Sequence, residues 1–194
     1  MKDTSKIDSK DIPDGNERTL ISILNECCEK LGLDYFLVGA RAKEYWINKY
    51  ELAPQRFTRD IDFAVLVPGI EDFNNLISLL QEEYSFKLLE KMPHRVIWLK
   101  NNLIVDLIPF GEIEESGYVH FKDAYDTVMS VVGMKEVYDQ ANETIGKDIR
   151  SKLANLPGIC VLKLASWLDK PEDRTRDLID IQNILEHFFE IESE

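Results

Sequence analysis

Asp60 and Asp62 lie two residues apart in the stretch Arg56-Phe57-Thr58-Arg59-Asp60-Ile61-Asp62-Phe63-Ala64-Val65-Leu66, interleaved with Ile61, Phe63 and Val65. A β-strand sends alternate side chains to opposite faces, so this alternation predicts a strand with its apolar set in a core and both carboxylates on the other face. Two carboxylates ~4 Å apart repel by roughly 4 kcal/mol at an effective dielectric near 20. Solvation of that face, protonation of one group, or a cation between them relieves the repulsion. Hard divalent cations prefer oxygen ligands, and magnesium is typically held by one or two carboxylates together with substrate phosphates. Spacing alone leaves an exposed strand with two solvated aspartates open, and favours it.

Asp106 is a lone charge inside the apolar run Leu103-Ile104-Val105-Asp106-Leu107-Ile108-Pro109-Phe110-Gly111. Burying an unpaired carboxylate is costly, so this position calls for a metal or for a cation such as Arg41 or Arg56. Upstream, the apolar run Tyr35 to Val38 ends in Gly39, and Ala40-Arg41-Ala42-Lys43-Glu44-Tyr45-Trp46 reads as a helix. A strand, a glycine and a helix N-terminus together present free backbone N–H groups to an anion. The cations are grouped, with Arg41, Lys43, Lys49, Arg56 and Arg59 near that turn and Lys163, Lys170, Arg174 and Arg176 near the C-terminus. In an otherwise acidic chain such grouping focuses positive field on one place.

A helix-opening glycine followed by a strand bearing Asp-x-Asp resembles the nucleotidyltransferases of the DNA polymerase β superfamily. Val-Asp-Leu-Ile-Pro-Phe-Gly at 105–111, Leu-Lys-Leu-x-x-Trp around Lys163, and Arg174, Arg176, Asp177 and Asp180 are similar to the AbiEii/MenT-type members, known from toxin–antitoxin and phage-defence systems. Arg176 stands where that pattern more often has lysine, and Ala40 where it prefers Gly or Ser. The resemblance implies transfer of a nucleoside monophosphate from a nucleoside triphosphate to an acceptor. Asp60, Asp62 and Asp106 would hold two Mg²⁺ ions and do the chemistry. Gly39, Ala40, Arg41, Thr58, Lys163, Arg174 and Asp177 would bind the nucleotide. It further implies tRNA as acceptor, a toxin role and a cognate antitoxin as partner. The alternatives are a small-molecule acceptor such as an antibiotic, or a nucleotide-binding module without turnover.

These residues need a scaffold, and the sequence outlines one. Residues 1–17 are polar, with Pro13 and Gly15, and read as a mobile tail. Leu20, Leu24, Cys27 and Leu31 mark an amphipathic helix over 17–31. A helix over 71–83 follows the aspartate strand. Strands at 86–90 and 95–100 come next, and Asn101-Asn102 is a two-residue hairpin signal joining the latter to the strand of Asp106. Short strands are expected near 117–121, 128–132 and 149–153, and a turn or helix near 134–140. Helices run over 157–168 and 172–189. In the first, Val161, Leu164, Ala165 and Leu168 form the expected packing face, with Lys163, Ser166 and Lys170 on the opposite, solvated stripe. In the second, Leu178, Ile181, Leu185 and Phe188 form the apolar stripe, with Arg174 in its arc, Asp177 at its edge and Asp180 outside it. The fold class is α/β (α+β): a mixed, mostly antiparallel sheet with helices on one side, a nucleotidyltransferase core over 18–112 and a mainly helical part over 113–194.

Composition bounds the function. The chain has 194 residues, 44% hydrophobic and 30% charged, which is a globular composition. A net charge of −13 argues against indiscriminate coating of nucleic acid. No apolar run is long enough to span a membrane, and no signal peptide is read at the N-terminus. Cys27, Cys28 and Cys160 suit neither a disulfide framework nor a zinc site, which places the protein in the cytoplasm. His94, His120 and His187 have no ligand spacing.

Overall fold

A computed structural model describes residues 7, 11–12, 14–50, 60–122, 125–145 and 150–192. In chain order the elements are α1 (Gly15–Leu31), β1 (Asp34–Val38), α2 (Gly39–Lys49), β2 (Asp60–Val67) and α3 (Ile70–Tyr84). There follow β3 (Phe86–Leu89), β4 (Met92–Trp98), β5 (Leu103–Gly111), β6 (Tyr118–His120), β7 (Val128–Ser130) and α4 (Met134–Asp139). The chain closes with β8 (Asn142–Ile145), β9 (Arg150–Leu153), α5 (Leu156–Asp169) and α6 (Thr175–Glu192).

Seven strands form one sheet in the order β3-β4-β5-β2-β1-β9-β8, and β6 pairs with β7 apart from it. β1 runs antiparallel to β2, and β2 parallel to β5. β4 is antiparallel to β5, and β9 is parallel to β1. The sheet is therefore mixed and mostly antiparallel.

Alternation assigns its two faces. Ile61, Phe63, Val65 and Val67 point to one side and are fully buried. There Tyr35 stacks edge-on against Phe63 with centroids 5.9 Å apart, and its hydroxyl reaches the Ile21 carbonyl of α1. Phe36 and Phe110 point to the other side, where both meet Tyr138 of α4 at 5.5 and 5.6 Å. Helices thus cover both faces rather than the single face expected. Asp60, Asp62 and Asp106 share the second face, beyond the end of that aromatic cluster.

One expectation differs. Within residues 1–17, Ile7 and Ile12 belong to the core and Asp11 is buried, so these described residues pack on the body. The helix after them begins at Gly15, because the Asp14 carboxylate accepts from the Asn16 amide and caps it. The part after 112 packs directly on the core. β9 extends the sheet beside β1, the Ala154 amide donates to the Leu37 carbonyl, and the Trp46 indole donates to the Ala154 carbonyl at 2.8 Å.

The two C-terminal helices turn other faces inward than their apolar patterns indicate. On α5, Val161, Leu164 and Leu168 are exposed, while Ile159 and Lys163 are buried. On α6, Asp177, Asp180 and Ile184 are buried, while Leu178 and Leu185 are exposed. No helix among the described residues is long and apolar enough to cross a membrane.

Candidate active site

Strand register brings the carboxylates together. Asp62 of β2 lies opposite Asp106 of the parallel neighbour β5, and Asp60 sits two residues along on the same face. On the other side of β2, Asp62 lies opposite Val38, the last residue of β1. The chain turns there at Gly39, whose φ of +72° is left-handed. Glycine is required twice over at this position. Its backbone conformation disfavours a side chain, and a Cβ would stand 2.1 Å from Asp62 Oδ2. The Asp62 carboxylate therefore lies against the first turn of α2. No side chain caps that turn, so its orphan N–H groups face the same space.

That space is a cavity of about 470 Å³. One wall is formed by Gly39, Ala40, Asp60, Asp62, Arg95 and Asp106. Opposite stand Lys163 and Ser166 of α5, with Asp173, Arg174, Arg176, Asp177 and Asp180 at the start of α6. Met129, Val132, Met134, Ile159 and Leu162 add an apolar side.

Charge on the carboxylate wall is only partly compensated. Arg95 of β4 lies opposite Asp106 in the β4–β5 register and grips it with two hydrogen bonds, Nε to Oδ1 and Nη2 to Oδ2, each 2.6 Å. Its Nη2 also approaches Asp60 Oδ2 at 3.4 Å. Asp62 receives no such grip. Burial, then the neighbouring Asp106 and Asp60 charges, push it up to about 7. Among the described residues no three carboxylate, imidazole or thiolate side chains are already gathered as a metal cage. The donor set still fits a hard cation, being wholly oxygen and anionic, and the displaced pKa of Asp62 marks a group short of positive charge.

Lys163 is buried beneath the opposite wall. It donates to Asp177 at 3.0 Å and to Asp180 at 2.7 Å. Asp180 also accepts from buried Lys43 of α2. Burial alone would raise Asp180, but Lys163 and Lys43 outweigh it and hold the carboxyl below the usual range. Arg174 is exposed, with its guanidinium 4.0 Å from Asp177.

Most residues singled out from sequence meet at this cavity: Gly39, Ala40, Asp60, Asp62, Asp106, Lys163, Arg174 and Asp177. Arg41 does not. It pairs with Glu17 of α1 at 3.2 Å and with Glu44 at 2.6 Å, tying α2 to α1. Thr58 lies outside the described residues. Sequence reading missed Arg95 as the partner of Asp106, Lys43 as a partner of Asp180, and His94 as a wall residue. The hairpin signal contained the first. A two-residue turn at Asn101-Asn102 already puts Arg95 on the face of Asp106, but the actual loop spans 99–102 and moves the register so that the two lie directly opposite.

No protein-family profile matches the chain. No curated protein matches it either. Similarity to solved structures is broader. The solution structure of the antibiotic-resistance factor ANT(2'')-Ia aligns with a TM-score of 0.56 at 12% identity, over 90% of this chain and 85% of that one. The crystal structure of ANT(2'')-Ia in complex with adenylyl-2''-tobramycin gives 0.56 at 12% identity, over 89% and 90%. An antigenic nucleotidyltransferase-like protein from Paracoccidioides brasiliensis gives 0.51 at 18% identity, over 86% and 74%. The chain shares the fold of these solved structures. In this fold the carboxylate wall is built by β2 and β5, and the facing wall by α5 and the start of α6.

Proposed function

We propose that the chain is a nucleotidyltransferase that moves a nucleoside monophosphate from a nucleoside triphosphate to an acceptor hydroxyl and releases pyrophosphate. The observation carrying this reading is the β2–β5 register, which sets Asp106 beside Asp62 and Asp60 across one cavity from Lys163 and Arg174. Asp60, Asp62 and Asp106 would hold Mg²⁺, two ions in the full reading, which when bound neutralise charge on the attacking and leaving oxygens.

The chain's own residues supply the rest. N–H groups of Gly39 and Ala40 at the opening of α2 donate to phosphate oxygens, and Arg174, just before α6, and Arg176 in its first turn reach the triphosphate. Lys163 meets it as a point charge held in place by Asp177 and Asp180. The acceptor oxygen bonds to the α-phosphorus while the α–β bridging oxygen leaves with pyrophosphate, and the hydroxyl proton passes to Asp106 once that carboxylate is free of Arg95. Positioning and charge neutralisation provide most of the acceleration. Arg41 serves at a distance, tying α2 to α1 through Glu17.

The AbiEii/MenT-like motifs put tRNA first as acceptor, in a toxin with a cognate antitoxin. A second reading has support in the net charge of −13, which suits a small cationic acceptor better than a polyanion. ANT(2'')-Ia, similar in span, is an antibiotic-resistance factor seen with adenylyl-2''-tobramycin. Incubation with each α-labelled triphosphate and Mg²⁺, against total tRNA and against an aminoglycoside panel, separates the two. Label in tRNA supports the first, and label in an aminoglycoside supports the second. Label in neither, with every triphosphate intact, contradicts both.

A further inference from the structure

We propose that Arg95 is an internal counter-cation that keeps the carboxylate site closed to a divalent ion until a nucleotide arrives. The inference rests on reading Asp60, Asp62 and Asp106 as the metal site and deepens that reading into a binding order. Arg95 satisfies both oxygens of Asp106 at 2.6 Å and spans to Asp60 at 3.4 Å. It therefore touches two of the three carboxylates and occupies the oxygens a cation would need. A guanidinium and a divalent ion repel, so either one on Asp106 weakens the hold of the other.

A purely structural ion pair would be sealed on its own strand pair. Arg95 instead forms part of the cavity wall and keeps a quarter of its side chain exposed, against about a tenth for Asp106. It can leave without unpacking β4, whose Val96 and Trp98 anchor in the core. A phosphate group offers the planar fork of arginine the same two-point contact that a carboxylate does. Triphosphate entering the cavity thus gives Arg95 a new partner and releases Asp106. Metal and nucleotide then strengthen each other's binding by the same factor, as linkage requires.

Manganese binding by electron paramagnetic resonance tests this on wild type, Arg95→Gln and Arg95→Lys, with and without an α,β-methylene triphosphate analogue. Melting in EDTA and in Mn²⁺ accompanies each titration. Wild type is expected to bind Mn²⁺ weakly alone and at least tenfold more tightly with the analogue. Arg95→Gln should bind Mn²⁺ alone at least tenfold more tightly than wild type and gain less from the analogue. It should also melt lower in EDTA and recover more on adding Mn²⁺ alone. Arg95→Lys, keeping the charge but losing the fork, should fall between, and it carries the comparison if Arg95→Gln does not fold. Variants that bind Mn²⁺ no more tightly than wild type without analogue would overturn the role of Arg95 while leaving the metal site standing. Wild type that binds no Mn²⁺ even with the analogue would overturn the metal site and the inference with it.

Discussion

At the level of single residues, the space Gly39 leaves empty is occupied by Asp62. A methyl group at position 39 would stand 2.1 Å from Asp62 Oδ2 on a backbone already left-handed. Gly39→Ala is expected to cost about 1–3 kcal/mol, from strain and displaced contacts. It should also lower nucleotidyl transfer by at least 100-fold, because Asp62 must rotate out of line with Asp106. A variant with wild-type melting and transfer would show that the turn is not tied to the carboxylate. Asp62 has its own signature in pH. Its pKa is raised from an ordinary 3.8 to about 7, so the folded metal-free protein binds a proton more readily than the unfolded chain. That contribution to stability is complete below pH 4 and is lost as pH rises through 7. Asp62→Asn removes it. Denaturation midpoints in EDTA should therefore fall from pH 5 to pH 8 for wild type relative to Asp62→Asn, by on the order of 1–3 kcal/mol. Parallel profiles would mean that Asp62 is already compensated.

At the level of elements, sequence revealed strands better than helix faces. Period-two alternation in β2 placed Ile61 and Phe63 inward and both aspartates outward, and a lone charge in β5 marked Asp106. Parity placed Arg95 on the correct face but not in register, since register depends on the length of the 99–102 loop. Helices α5 and α6 were misread for a physical reason. Apolar residues nearly encircle α5, so a wheel offers no unique packing face. The decisive factor is instead a charge cluster spanning three helices, with Lys163 between Asp177 and Asp180 and Lys43 on Asp180. Partners more than a hundred residues apart, such as Lys43 and Asp180, leave no local pattern to read. Burial changes what Lys163→Ala should do. A solvated lysine could be removed cheaply, but at 8% exposure its loss leaves buried Asp177 without its lysine and Asp180 with Lys43 alone. We expect a cost of about 3–5 kcal/mol in addition to weakened triphosphate binding. Calorimetry of Lys163→Ala beside Arg174→Ala checks this, since Arg174 is exposed and its removal should weaken binding with little change in melting. Equal melting of both variants would show that the cluster carries no stability.

At the level of the whole molecule, the cavity walls come from distant parts of one chain, and the sheet joins them. β1 lies between β2, which carries the aspartates, and β9, which leads directly into α5. Trp46 of α2 is hydrogen-bonded to the Ala154 carbonyl just beyond β9. Residues 18–112 are thus not a separable catalytic core. A chain ending at 112 should lack a cooperative unfolding transition, because β1 would present an open edge and α2 would lose its α5 neighbour. Cooperative melting with native-like near-ultraviolet dichroism would contradict this. Function tests the whole assembly most directly through the fate of the α-phosphate. With α- and γ-labelled triphosphates in parallel, Mg²⁺ and the responsive acceptor, wild type should transfer only the α-label and release the γ-label as pyrophosphate. Asp60→Asn and Asp62→Asn should do neither, yet remain folded. Transfer of the γ-label, or α-transfer undiminished in both variants, would contradict the assignment of this cavity as a nucleotidyltransferase site.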